Sequence, residues 1–246
     1  MLSVVLHSKV EGAEKMFQGK RKAVTFSYDD GITQDRRLVK ILNRYGLKCT
    51  FNINGGLFGR PGALRLHDKT VAHVRMRGDE AAQVYAGHEV AAHSLDHPNL
   101  KNCTPQEVYR QVESDRQLLS ALVGYPVTGF AYPGGTGCMD DAVVQAVRKT
   151  GVQYARTTTS TYRFDLPQDL FVLDPTVYHM EKEKMWALAK QFVEIDSDTP
   201  QLFYIWGHAY ELDTEDDWAW FEDFCAFLGG RDDIFYGTNR QVLGLE

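Results

Sequence analysis

A single α/β domain with a mainly parallel sheet is the fold this sequence predicts, on three observations. Short apolar runs alternate with segments of helical period, the pattern of repeated βαβ units. The length, 246 residues, suits one α/β barrel, which runs to about 200–250 residues. No internal repeat, low-complexity tract or long Pro/Gly-rich linker divides residues 1–246, so one domain is expected across them.

The elements follow in chain order. Residues 22–28 (KAVTFSY) read as a strand that stops at Asp29-Asp30-Gly31. Leu38, Ile41, Leu42 and Tyr45 recur at helical spacing within residues 33–45, and Gly46 ends that helix. Residues 49–53 read as the next strand. The Gly-containing, mixed-charge stretch 55–87 reads as a long surface excursion, where functional loops concentrate. The clearest helix starts at Thr104, with Pro105 in its first turn and Glu107 three residues on, a capping-box pattern. Val108, Val112, Leu119 and Leu122 form its expected buried stripe. Strands are expected at 127–132, 153–157, 170–173 and 202–206, with helical segments at 141–150, 181–194 and 215–228.

Charge and composition exclude several function classes. With 27 Lys+Arg against 33 Asp+Glu the net charge is −6, and the pI is near 5.8, so nucleic-acid binding, which runs on clustered cations, is not expected. No apolar run approaches the roughly 20 residues that span a bilayer. The short apolar stretch at the start lacks a basic region before it, so no signal peptide is read. A cytoplasmic location is expected, or a secreted one if a leader has been trimmed. Cys49, Cys103, Cys138 and Cys225 show no CxxC spacing and read as free thiols rather than as a zinc-thiolate site.

Three motifs carry chemistry, each near the carboxyl end of an expected strand, where α/β folds build their sites. In Thr25-Phe26-Ser27-Tyr28-Asp29-Asp30-Gly31, two adjacent carboxylates follow an apolar strand, and Gly31 allows a sharp turn. Asp-Gly is also ordinary turn chemistry. His93-Ser94-Leu95-Asp96-His97 places two imidazoles four residues apart. Together with a carboxylate they would make an open two-His, one-carboxylate metal site. Pro98 disfavours helical geometry at His97, limiting the motif to a single turn or a folded loop. Phe203-Tyr204-Ile205-Trp206-Gly207-His208 delivers a histidine at a strand end, either as a proton donor or as a satisfied structural partner.

In order and spacing these motifs resemble those of the polysaccharide deacetylase family, carbohydrate esterase family 4. TFSYDDG is similar to its first motif, GHEVAAHSLDHPNL to its second and FYIWGH to its last, together spanning residues 22–208. The resemblance implies a distorted (β/α) barrel of about seven strands. It implies Asp30, His93 and His97 as ligands of a divalent metal, zinc first, with cobalt or nickel as other choices. Asp29 would be the general base and His208 the general acid. Tyr132, Pro133 and Gly134 correspond to the oxyanion and substrate-binding segment, with the Gly134 N–H as the oxyanion donor, and Trp206 could stack on a sugar ring. The implied reaction is removal of acetyl groups from N-acetylated sugars or glycans.

The sequence departs from the family at two places. The third motif, Arg-x-Pro-Tyr/Phe in the family, reads Ala131-Tyr132-Pro133-Gly134 here. Losing that cation should raise the Asp29 pKa unless another takes its place, and Arg156 is the candidate. The fourth motif is unrecognisable. Asp174 stands in roughly the right order to orient His208, and Glu211 is a further candidate polar contact. His67, His88, His7, His73 and His179 receive no role beyond structural or exposed ones. The partner is therefore a carbohydrate or a small acylated molecule, with the oligomeric state left open. The competing readings are an intracellular amidase on a small non-glycan amide, a carbohydrate-binding homologue with weak or no catalysis, and a non-haem iron oxygenase.

Overall fold

β1 (Lys22–Asp29) is buried along its whole length, which is why its sequence is nearly continuous in apolar and small polar residues instead of alternating. The computed structural model describes residues 17–66 and 68–245; His7 and His67 lie outside them. Parallel to β1 run β2 (Cys49–Ile53), β5 (Glu89–Ala92), β6 (Gly129–Ala131) and β7 (Tyr154–Arg156) on one side. On the other lie β9 (Gln201–Gly207) and β8 (Val177–Tyr178), giving the order β7-β6-β5-β2-β1-β9-β8. β10 (Ile234–Tyr236) pairs with Lys22–Val24 of β1, and β2 pairs with Phe26–Asp29, so the two share one side of β1 at different heights. This curled sheet, seven strands on one path with β10 paired beside them, is with its surrounding helices the expected (β/α)-barrel type.

The sheet curls because one run of chain touches both of its edges. Leu173 bridges Arg156 in β7, and farther along the Thr176 N–H donates to the Tyr204 carbonyl in β9 at 2.8 Å. The strand expected at 170–173 is reduced to that one bridge. The Asp169 carboxylate accepts the Phe171 N–H at 2.9 Å, a local turn that competes with strand pairing. The regular pairing comes later, as two-residue β8.

Helices α1 (Asp35–Arg44), α3 (Pro105–Val123), α4 (Asp141–Val147), α5 (Lys182–Glu194) and α6 (Trp218–Leu228) occupy the expected segments with trimmed ends. Thr104 Oγ1 accepts the Glu107 N–H, and Gly124 at φ +77° closes α3. Val108, Val112 and Leu119 are fully buried there, and Leu122 is partly so. Segment 55–87 is more ordered than a surface loop. It forms the antiparallel hairpin β3 (Ala63–Leu66) and β4 (Lys69–Ala72), then α2 (Gly78–Val84). Its return strand lies over the end of β1: the Thr33 N–H donates to the Val74 carbonyl at 2.9 Å and the Met76 N–H to Gly31 at 2.8 Å. A short helix α7 (Asn239–Val242) follows β10. No helix among the described residues is long and apolar enough to cross a membrane, and all four cysteines are free thiols.

Candidate active site

The carboxyl ends of the parallel strands bring the motif residues to one rim. Asp29 is the last residue of β1. Asp30 then adopts φ +84° and Gly31 φ +63°, so the chain leaves the sheet abruptly and the two carboxylates diverge. A Cβ on Gly31 would meet Ile53 at 2.8 Å, a close approach that only glycine allows. Past β5, Ser94 and His97 also have positive φ, 65° and 55°, which makes His93–His97 a folded loop and not a helical turn. Left-handed non-glycine residues are costly and cluster at functional sites.

Asp30, His93 and His97 offer ligand atoms that all lie within 4.8 Å of one another. Asp30 Oδ1 is 3.8 Å from His93 Nε2 and 3.7 Å from His97 Nε2. That oxygen is buried and takes no hydrogen bond among the described residues; its one near cation is Arg75 Nη1, at 2.9 Å. His93 has its Nδ1 2.8 Å from the Ala131 carbonyl, which turns Nε2 toward Asp30. Its backbone N–H donates to Asp115 Oδ2 at 2.9 Å. Burial pushes the His93 imidazole down to about 4 and lowers His97 as well, so both present neutral nitrogens. A carboxylate oxygen without a hydrogen bond, two neutral imidazoles and a carbonyl-tethered Nδ1 fit a divalent cation.

Asp29 is fully engaged on one oxygen. Oδ1 accepts from the Arg156 guanidinium and from Asn52 Nδ2, the latter at 2.8 Å. Burial pushes this carboxyl up, but Arg156, His93 and His208 outweigh it and leave Asp29 below its usual value. Arg156 sits in β7 at the register of Ala131 in β6. A methyl group at 131 leaves room for a cation to enter from the neighbouring strand. Arg156 is fully buried and lies 4.9 Å over the Trp206 ring. Asp29 Oδ2, the other oxygen, is 4.0 Å from His93 Nε2 and 3.9 Å from His208 Nε2.

His208 is held by Glu211, whose Oε1 lies 3.2 Å from Nδ1 and whose Oε2 accepts the His208 backbone N–H at 3.0 Å. Burial opposes charge on this imidazole, yet the Glu211 carboxylate, with Asp30 and Asp29, lifts it to about 9. Glu211 in turn accepts from Tyr178 Oη and from His179 Nε2, the latter at 2.7 Å, and His179 Nδ1 is 2.9 Å from Tyr28 Oη. Burial would raise the Glu211 carboxyl, and His208 and His179 hold it well below the usual range.

Several expected residues fall elsewhere. Asp174 does not reach His208; it accepts from Thr157 Oγ1, because the chain at 174 is crossing from the β7 edge to the β9 edge. Tyr132 is 1% exposed with its hydroxyl donated to the Phe171 carbonyl at 3.0 Å, so its side chain belongs to the core and not to a substrate surface. Pro133 is buried and Gly134 exposed at φ +70°. Trp206 is stacked on Tyr178 at 4.6 Å between ring centroids. His88, buried, binds Asn43 and the Cys49 N–H.

Sequence reasoning passed over His73, Arg75, Asn52, Asp115 and His179. His73 Nε2 is 2.8 Å from Asp30 Oδ2, and Arg75 donates to the Asp30 carbonyl and, at 2.8 Å, to Asn54. Burial raises the Asp30 carboxyl, and the His73 hydrogen bond with the surrounding cations carries it well below its ordinary value. Only Asn52 carried a visible signal, as a polar residue inside an apolar strand.

Comparison with known proteins agrees with the motifs. The family model described as polysaccharide deacetylase matches residues 18–155. YxkH of Bacillus subtilis (strain 168), placed by its name among polysaccharide deacetylases, is 26% identical over 140 residues, 56% of this chain and 45% of that protein. The peptidoglycan-N-acetylglucosamine deacetylase PgdA of Listeria monocytogenes is 27% identical over 128 residues, 52% of this chain and 24% of that one. The chain thus spans less than half the length of these two relatives. A family 4 carbohydrate esterase from Streptomyces lividans, solved with acetate, shares the fold at TM-score 0.56 and 16% identity, covering 89% of this chain and 93% of that one.

Proposed function

Because the chain belongs to the polysaccharide deacetylase family, we propose that it is a metal-dependent hydrolase that removes acetyl groups from N-acetylated sugars or glycans. The observation that carries this reading is the placement of Asp29 Oδ2 between the ligand cluster and the proton donor, 4.0 Å from His93 Nε2 and 3.9 Å from His208 Nε2. Asp30, His93 and His97 would hold the divalent ion, zinc by proposal, which supplies Lewis-acid polarisation of the carbonyl and of water.

The chain's own groups handle the protons. Asp29, kept ionised by Arg156, accepts a proton from the water that adds to the amide carbonyl. His208, kept protonated by Glu211, donates a proton to the nitrogen as the C–N bond breaks, so acetate and a free amine leave. The Gly134 N–H is the proposed donor to the carbonyl oxygen as it gains charge. Trp206 and Tyr210, both buried, pack against the His208 ring, with ring centroids 5.7 and 5.0 Å from it. A glycan containing N-acetylglucosamine is the proposed substrate class; the Listeria relative is named for N-acetylglucosamine of peptidoglycan.

Acetate release from N-acetylglucosamine oligomers, followed with zinc and after chelation, tests the reading. Release that chelator abolishes and zinc restores is the expected result. Glycan binding without release under zinc, cobalt or nickel would make the chain a binding homologue. Turnover confined to a small non-glycan amide would replace the substrate class.

A further inference from the structure

We propose that His73, carried just past the β3–β4 hairpin, is a positioning residue for the ligand Asp30: it occupies Oδ2 and so reserves Oδ1 for the metal ion. The inference rests on the metal-site reading above and assigns a task to a residue outside every motif.

The two oxygens of Asp30 have different partners. Oδ2 lies 2.8 Å from His73 Nε2, whereas Oδ1 accepts no hydrogen bond among the described residues and faces the Nε2 atoms of His93 and His97. Arg75 Nη1 approaches Oδ1 to 2.9 Å, but its two N–H groups are directed at the Asp30 carbonyl and at Asn54 Oδ1. A carboxylate tied at one oxygen cannot rotate freely about its terminal torsion, so the other oxygen keeps its aim. Partners of this kind orient metal ligands.

His73 is itself fixed independently of that contact. Its N–H donates to the Gly62 carbonyl at 2.9 Å, and the Thr33 N–H donates to Val74 beside it. Its ring packs edge-on against Tyr210 at 5.1 Å. The hairpin has further anchors of its own: Lys69 Nζ donates to the Thr214 carbonyl, and Gln34 Nε2 to the Ala72 carbonyl at 2.7 Å and to Asp213 at 2.9 Å. The imidazole is therefore not needed to hold the hairpin down, and its removal separates ligand orientation from hairpin attachment.

Zinc affinity of the full chain, measured by competition with a chromophoric chelator, tests this alongside the melting temperature of the metal-free protein. His73→Ala is expected to bind zinc about 10–100-fold more weakly with little change in metal-free melting. His73→Gln, which returns an N–H donor near the Nε2 position, is expected to recover part of the loss. Lys69→Ala, which loosens the hairpin with His73 in place, is expected to keep the affinity. Equal affinity of His73→Ala and the unaltered chain overturns this inference alone, as does a Lys69→Ala loss equal to that of His73→Ala. If the unaltered chain binds no zinc, cobalt or nickel, the metal-site reading falls and takes this inference with it.

Discussion

The two walls of the site use the same side chain in opposite states. On the β5 wall, His93 is buried with its Nδ1 on a neutral carbonyl, and burial takes it down to about 4. On the β9 wall, His208 is also held against charge by burial, yet Glu211 at 3.2 Å lifts it to about 9. Both imidazoles lie about equally far from Asp29 Oδ2, at 4.0 and 3.9 Å, so that carboxylate does not separate them. The largest upward push on His208 comes from the carboxylate behind its ring, whereas His93 has a neutral carbonyl behind it, with His97 and Arg156 lowering it further. A partner on Nδ1 thus decides whether a histidine offers a lone pair or a proton.

The largest expected effect comes from breaking the two proposed proton-transfer roles. Asp29→Asn and His208→Ala should each lower kcat by about 10²–10⁴-fold, while zinc content, read by elemental analysis, stays near one ion per chain because neither is a proposed ligand. Loss of the metal along with activity would assign Asp29 or His208 to the ligand wall and collapse the contrast.

Arg156→Met removes the cation that stands between the walls. The ion pair with Asp29 is almost completely buried, with side-chain exposures of 0% and 3%, so leaving the carboxylate alone should cost about 3–5 kcal/mol of stability. Chemical denaturation measures it. A cost near zero would mean that Asn52 and the remaining cations suffice for Asp29.

Glu211→Gln sharpens the comparison most directly. His208 in the folded chain titrates near 9, above its ordinary value of 6.5. Its contribution to stability is therefore fully present below pH 6.5 and is lost as pH rises through about 9. Without the Glu211 charge, the His208 titration read by NMR and the basic limb of kcat/KM should both move down by about one pH unit or more. The stability difference between the unaltered chain and the variant should shrink over the same window. Asp174→Asn, facing Thr157, should leave that titration unchanged and cost no more than about 1 kcal/mol; a shift equal to that of Glu211→Gln would restore Asp174 as the orienting group.

Local pattern carried the parts of the fold that depend on neighbours in sequence. The strands at β1, β2 and β9 are legible because buried parallel strands are continuous apolar runs, and α3 because Thr104, Pro105 and Gly124 mark its ends. The hairpin in segment 55–87 was illegible: four-residue β3 alternates exposed Ala63 and Arg65 with half-buried Leu64 and Leu66, too short a pattern to mark a strand, and has no strong turn pair after it. The strand expected at 170–173 failed because a side chain, Asp169, satisfied the backbone first.

The sequence by itself determined which residues stand at the strand ends, and with them the motif set Asp29, Asp30, His93, His97 and His208, since each belongs to one short segment with its own periodicity. Tertiary structure decided what stands behind them. Arg156 meets Asp29 across 127 positions because β7 lies beside β6 in register with Ala131. Glu211 rather than Asp174 backs His208 because a tight turn after β9 folds it onto the ring. His73 reaches Asp30 because the excursion returns over β1. Periodicity reports which face of its own element a residue occupies; which faces meet across a curled sheet is set by strand order and register, and these emerge only when the whole barrel packs.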